Sequence, residues 1–376
     1  MKQLWKWAGI LGGSIILLLI IAIASITLFL DPNQFKPVII SKFKQLTGLE
    51  ISIPGQLSWS FFPHLGVEIS EAKITRGPQL SSTVNHLVLK IRLAPLFHHQ
   101  LELSKVSVDH WQFNQVHLSK VYAKVQLNND TLTILPVQAN FYQGTVRGEA
   151  TVSLKKPAPI LHISSTLKNV DMASLTNDLL GKNAKLKISG TGNTTIDTNT
   201  TGKTTDELLA QLNGTGHFSL DKGLIHGIDI AFFVDTANAL INHQSLPTQL
   251  PNNSTEFGQL TGTFTIKKGI VYNADLLLES PFYTTRGNGS VNLLNKTMDY
   301  HLEVTVKVGS TNNKILALAG KTVPIHVSGN WSNPTVTLDT LALMQEIGKE
   351  QLQKIGDKID KALPPKASQF LKNMFH

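Results

Sequence analysis

The chain has 376 residues, 41% of them hydrophobic, which is enough for substantial cores and excludes a disordered protein. It has no cysteine, so disulfides, thiolate catalysis and Cys-ligated metal clusters are excluded. A formal charge of +8 is carried by Lys and Arg scattered along the chain without an arginine-rich run, which argues against a nucleic-acid partner. Only 16% of residues are charged, and Gly, Thr and Asn recur between short alternating runs, the profile of a β-rich chain with many turns.

Residues 1–30 form the first segment. From Trp7 to Leu30 there is no charge, and at ~1.5 Å per residue this run spans roughly 35 Å, enough to cross a ~30 Å hydrocarbon layer. Trp5 and Trp7 stand where an interfacial aromatic belt belongs. Ala22-Ile23-Ala24 has the small-residue pattern of a signal-peptide cleavage site, but the apolar run continues to Leu30, which favours a retained anchor. Lys2 and Lys6 precede the span and Lys36, Lys42 and Lys44 follow it, so flanking charge is nearly balanced. Orientation therefore rests on the Cys-free, turn-rich chain behind a single N-terminal span, which places the bulk outside the cytoplasm.

DPNQFKPVIISKFKQLTG predicts a short helix with Pro37 in its first turn, Ile39, Phe43 and Leu46 on one face and Gly48 as its stop. It would either lie on the membrane surface or cap the first strands. Next, in LSWSFFPHLGVEI, residues Leu57, Trp59, Phe61, Leu65, Val67 and Ile69 share one face of an alternating strand, with Pro63 bending it and Phe62 on the other side. Period-two patterning continues to about residue 160, with Val121, Ala123, Val125 and Leu127 alternating before an Asn-Asn-Asp turn.

Short helices then interrupt the strands. Asp171 is the expected N-cap of DMASLTNDLL, Thr204 and Glu207 form a capping box in TTDELLAQL, and Asp229 opens IDIAFFVDTANALINH. GTGNTT, from Gly190, lacks the third glycine of a dinucleotide fingerprint and is read as a turn. Strands resume to about residue 340. In the tail, residues 341–376, Leu341, Met344, Leu352, Ile355, Ile359 and Leu363 recur at helical spacing up to Pro364-Pro365. This amphipathic helix would dock on its own domain, a partner or a lipid surface.

The sequence carries few motifs of known chemistry. There is no Gly-x-Ser-x-Gly elbow, His-Glu-x-x-His pair or phosphate-binding loop. His98 and His99, being adjacent, would point to opposite faces of a strand and could not both ligate one ion without a loop; His64, His217 and His226 are isolated. No catalytic, cofactor-binding or metal residue is assigned, and the expectation is a protein that is not an enzyme.

The chain resembles the AsmA family, inner-membrane-anchored periplasmic proteins of Gram-negative bacteria related to TamB. The resemblance begins with the apolar span, DPNQFKP and KQLTG, and is most specific in ISIPGQLSWSFFPHLGVEISEAKI. It extends through LNGTGHFSLDKGLIHGIDI and the paired strands after TEFGQLTG to VPIHVSGNWSNPTVTLD. The resemblance implies a mainly β fold: an elongated, curled antiparallel β-sheet groove with a few short helices, flanked by the transmembrane helix and the amphipathic tail. It divides the chain into the anchor (1–30), an N-terminal β region (31–160) and a C-terminal β region (161–340), and does not extend to the tail (341–376).

The function it implies is a role in outer-membrane biogenesis by binding or conveying glycerophospholipid in an apolar groove, with no cofactor. The alternative is a membrane-anchored scaffold that contacts envelope proteins. The implied groove face is Leu57, Trp59, Phe61, Leu65, Val67 and Ile69, and the implied membrane-interface residues are Trp5, Trp7 and Phe62. The chain is shorter than familiar members of the family. With a strand every ~12 residues the exported part should hold on the order of 25 strands.

Overall fold

The computed structural model describes residues 31–47, 50–60, 65–76, 80–91, 101–128, 130–153, 158–247, 253–307 and 322–347. The predicted anchor, Trp5, Trp7, Phe61, Phe62, Pro63, His98, His99 and the tail beyond 347 lie outside the described residues. Among the described residues no helix is long and apolar enough to cross a membrane. The chain divides into two compact units, residues 1–140 and 141–376.

The first unit starts with a 3-10 turn, Pro32–Phe35, that leads into helix α1 (Lys36–Thr47). Asp31 caps the turn by accepting from the Asn33 N–H at 2.9 Å. Strands β1 (Glu50–Ser52) and β2 (Leu57–Ser60) both pair antiparallel with β3 (Gly66–Arg76). Strands β4 (Leu80–Ile91), β5 (Leu101–Phe113) and β6 (Val116–Asn128) follow in a meander, and β7 (Thr131–Phe141) ends at the unit boundary. The alternation expected in β6 is present, with Val121 and Ala123 buried and Lys120 and Lys124 exposed.

In the second unit β8 (Gly144–Ser153) pairs with β9 (Ile160–Asp171), which pairs with β11 (Thr191–Thr201). Helix α2 (Met172–Leu180) and the two-residue β10 (Lys187–Ile188) fill the connection between them. From β11 the sheet continues through β12 (Asn213–His226), β13 (Ser254–Lys267), β14 (Ile270–Glu279), β15 (Tyr283–Asn292), β16 (Thr297–Val306), β17 (Thr322–Asn330) and β18 (Asn333–Leu338). Each of these strands pairs antiparallel with the next, and no pairing among the described residues closes the sheet on itself. Helix α3 (Thr205–Ala210) joins β11 to β12, α4 (Ile230–Ile241) joins β12 to β13, and α5 (Thr340–Ile347) follows β18.

The described residues hold 18 strands. Many strands run 10 to 14 residues. The tight turns have the chemistry they need: Lys268 and Gly269, both at positive φ (49° and 76°), make the two-residue link between β13 and β14. The reading of GTGNTT as a turn holds only for Gly190, at φ 117°; Thr191 onward is strand β11, because its amides pair with β9 and β12.

Local side-chain chemistry starts the helices. Asp171 accepts from the Ala173 and Ser174 N–H groups, Thr204 from Glu207 N–H at 3.1 Å and Asp229 from Phe232 N–H at 3.1 Å. In the capping box Glu207 reaches back one residue further than usual, to the Lys203 N–H at 2.7 Å. Helix α4 exposes only a narrow stripe at Ala231 and Asp235. Its buried Phe232, Phe233, Val234, Ala237 and Leu240 share one core with Val304 of β16, with Val323, Ile325 and Val327 of β17, and with Leu343 of α5.

Strands β12 and β13 interlock through three directly opposed glycine–phenylalanine pairs: Gly216 with Phe264, Phe218 with Gly262, and Gly223 with Phe257. Each ring occupies the space a side chain on the facing glycine would need. A Cβ at position 223 would stand 2.6 Å from Phe257 Cζ, and one at position 262 would stand 2.8 Å from Phe218 Cζ.

The inward set also changes parity along these strands. Phe218 and Leu220 face the core on β12, but past Lys222, whose φ is +48°, it is Gly223 and Ile225 that turn inward while Leu224 is exposed. On β13 the same shift falls at Gly258 and Gln259, which are both exposed between buried Phe257 and buried Leu260.

Candidate functional site

In the first unit the register Leu57 to Ile69 and Trp59 to Val67 puts these four residues on one face, as the alternation expects. Leu57 and Ile69 are 4% and 7% exposed, in a cluster with Ile53 and Ala72. Ile39 and Ile40 of α1 pack on that cluster, so the helix caps the first strands. Trp59, Leu65 and Val67 are half-buried. Asn33 fixes the approach of the helix: its Nδ2 donates to the Leu57 carbonyl at 3.1 Å and its Oδ1 accepts from the Leu57 N–H at 3.0 Å. One side-chain amide thereby takes the place of a neighbouring strand on β2.

The second unit contains a cavity of about 400 Å³ on the face of the sheet that carries α4. Met172 and Leu180 of α2 stand on one side, and the start of α4 contributes Ile230. The sheet supplies Phe218, Leu220 and Ile225 from β12, Leu260 from β13, Leu276 and Leu278 from β14, Val291 from β15, and Met298, Tyr300 and Leu302 from β16. The lining residues come from strands that are up to six ladders apart, so no short sequence window contains them.

Among the described residues no carboxylate, ammonium, guanidinium or imidazole lines this cavity. Its polar groups are Tyr300, Trp331 and the hydroxyls of Thr194, Thr255 and Thr285. Thr255 is satisfied internally: its Oγ1 donates to the Ile228 carbonyl at 2.8 Å and accepts from the Ile230 N–H at 3.0 Å. Burial raises the Tyr300 hydroxyl above the usual phenol range. In the adjacent core, burial first and then the charges of Asp235 and Asp229 push Tyr283 up to about 12. Both rings are held neutral in the folded state. The stability this gives is complete below the ordinary phenol range and is lost as pH rises through about 12 for Tyr283.

Thr285, 1% exposed, lies between Leu278 and Val304 of the flanking strands, and its Oγ1 has no hydrogen-bond partner among the described residues. An unpaired buried hydroxyl costs about 1–3 kcal/mol, so replacing it by a methyl of the same shape relieves the penalty. Thr285→Val should raise stability by about 1 kcal/mol in urea unfolding with an unchanged slope. A loss of stability would show that the hydroxyl is satisfied in solution.

The geometry suits one kind of occupant. A volume of about 400 Å³ falls within the usual range of ligand pockets, ~300–1,000 Å³. Scaled from the ~150 Å³ cavity that accepts benzene, it holds roughly 16 carbon atoms. With no charged group among its described lining residues, the cavity presents apolar surface and no anchor for an ionic ligand.

Fold and cavity together define a class: an antiparallel β-meander protein with short capping helices and an apolar pocket on one sheet face. Within that class the relationship is specific. The sequence model of the AsmA family matches residues 1–114 and 106–276, and the chain belongs to the AsmA family. It is also similar to the Protein AsmA of Escherichia coli K12, with 22% identity over 247 residues, 64% of this chain and 39% of that protein. The chain thus matches about two fifths of the length of that relative. No solved structure matches it.

Proposed function

We propose that this chain is a non-enzymatic envelope protein, anchored in the inner membrane with most of its length in the periplasm. It serves outer-membrane biogenesis by holding an acyl chain of a glycerophospholipid in the second unit. The observation that carries this reading is the cavity of about 400 Å³ whose described lining residues include no charged side chain. Each methylene moved from water into such a site contributes ~0.8 kcal/mol, so a partly buried acyl chain binds without any polar contact from its headgroup.

The uncharged run from Trp7 to Leu30 and membership of the AsmA family support the anchored placement. The packed cluster beneath α1 favours a different part for the first unit, that of a scaffold for envelope protein partners near the membrane. Lipid extraction and mass spectrometry of the full purified chain test the proposal. About one acyl lipid per chain is the expected result; a chain no richer in lipid than an unrelated single-span protein purified alongside overturns it.

A further inference from the structure

The outer face of β16 and β17, opposite the cavity, carries a cluster that the lipid reading does not use. His301 and His326 are directly paired across the two strands, and their rings stack at 4.6 Å with an interplanar angle of 22°. Asp299 stands two residues before His301 on the same face, with its Oδ1 2.6 Å from His326 Nε2. One ligand atom from each of the three lies within 4.8 Å of the others. Two other histidine–carboxylate contacts, His86 with Asp109 and His162 with Asp197, bring a single imidazole to a single acid. The cluster on β16 and β17 adds a second imidazole from a different strand.

We propose that Asp299, His301 and His326 form a binding site for a borderline divalent transition ion, with Zn²⁺ as the reference case. Two imidazoles and a carboxylate are a donor set that such ions take, leaving a fourth position to water. Donor atoms around a tetrahedral ion with ~2.0–2.1 Å bonds stand roughly 3.4 Å apart. Rotation of the three side chains closes the remaining gap, since Asp299 and His301 are exposed and His326 is half-buried.

The backbone beneath them is fixed. The strands pair without a break from Thr297 to Thr305, and the alternate residues Leu302, Ile325 and Val327 are buried on the other face. An ion bound here clips β16 to β17 behind the cavity wall. The inference does not depend on what the cavity holds.

Titration of the full chain with Zn²⁺ alone, followed by calorimetry and by thermal unfolding, tests the site. The expected result is one ion per chain in this site and a midpoint that rises with Zn²⁺ concentration. His301→Gln and His326→Gln should each weaken binding by about tenfold or more, a scale that even outer-shell changes reach. Asp299→Asn should weaken it in the same direction, and His86→Gln should leave it unchanged. Circular dichroism establishes that each variant is folded. Absence of Zn²⁺ binding overturns the proposal, as does binding equally strong in the folded His301 and His326 variants.

Discussion

Replacing Phe257 by alanine is expected to lower the stability of the second unit by about 3–5 kcal/mol, a large share of the ~5–15 kcal/mol that holds a typical domain together. Phe257 is 1% exposed and packs with Leu220, Leu260 and Leu278. Its ring covers Gly223, which has no side chain to move into the space left behind. The site cannot collapse from that side, and a core hole that stays open costs more than the lost transfer energy alone. Urea unfolding should show a lower midpoint with an unchanged slope. A loss below about 1.5 kcal/mol would mean that neighbouring strands close over the gap, contrary to the fixed β12–β13 register.

Filling the cavity is the second large effect. Val291 faces Met298 across β15 and β16, while Thr194 faces Phe218 across β11 and β12, so the two approach the cavity from different parts of the sheet. In Thr194→Trp/Val291→Trp two indole rings would occupy volume otherwise open to an acyl chain. Overpacking of this kind costs typically ~1–3 kcal/mol, which a folded unit can absorb. Acyl lipid bound per chain should fall by about tenfold or more, equivalent to at least ~1.4 kcal/mol in affinity. Mass spectrometry of extracted lipid provides the measurement, and a cooperative thermal transition shows that the variant is folded. Parental lipid content in the folded double variant would rule out this cavity as the site.

Local features were legible in the sequence. Asp171, Thr204 and Asp229 start helices where expected because an N-cap acts over three residues and needs no tertiary partner. Buried Val121 and Ala123 follow from strict alternation in an uninterrupted strand. The shared face of Leu57, Trp59, Val67 and Ile69 was also legible, whereas its covering by Ile39 and Ile40 depends on how α1 returns to the sheet.

Alternation fails where the backbone turns over. Leu224 reads as the inward partner of Leu220, yet the positive φ of Lys222 exchanges the faces and brings Ile225 in. The cavity lining and the Asp299, His301 and His326 cluster share a different difficulty. Each is made by strand register, so DYHLEV and VPIHVSG become one arrangement only when His301 is set opposite His326.

The glycine–phenylalanine pairs of β12 and β13 bear on how this sheet can vary over evolutionary time. At Gly262 the nearest obstacle to an added methyl group is the Phe218 ring, so a smaller residue across the ladder would make room, whereas at Gly216 and Gly223 the backbone carbonyls of Thr195 and Ser189 also stand in the way. Gly216 and Gly223 are therefore fixed by backbone as well as by ring, and of the three pairs only Phe218 with Gly262 is free to change, by double replacement.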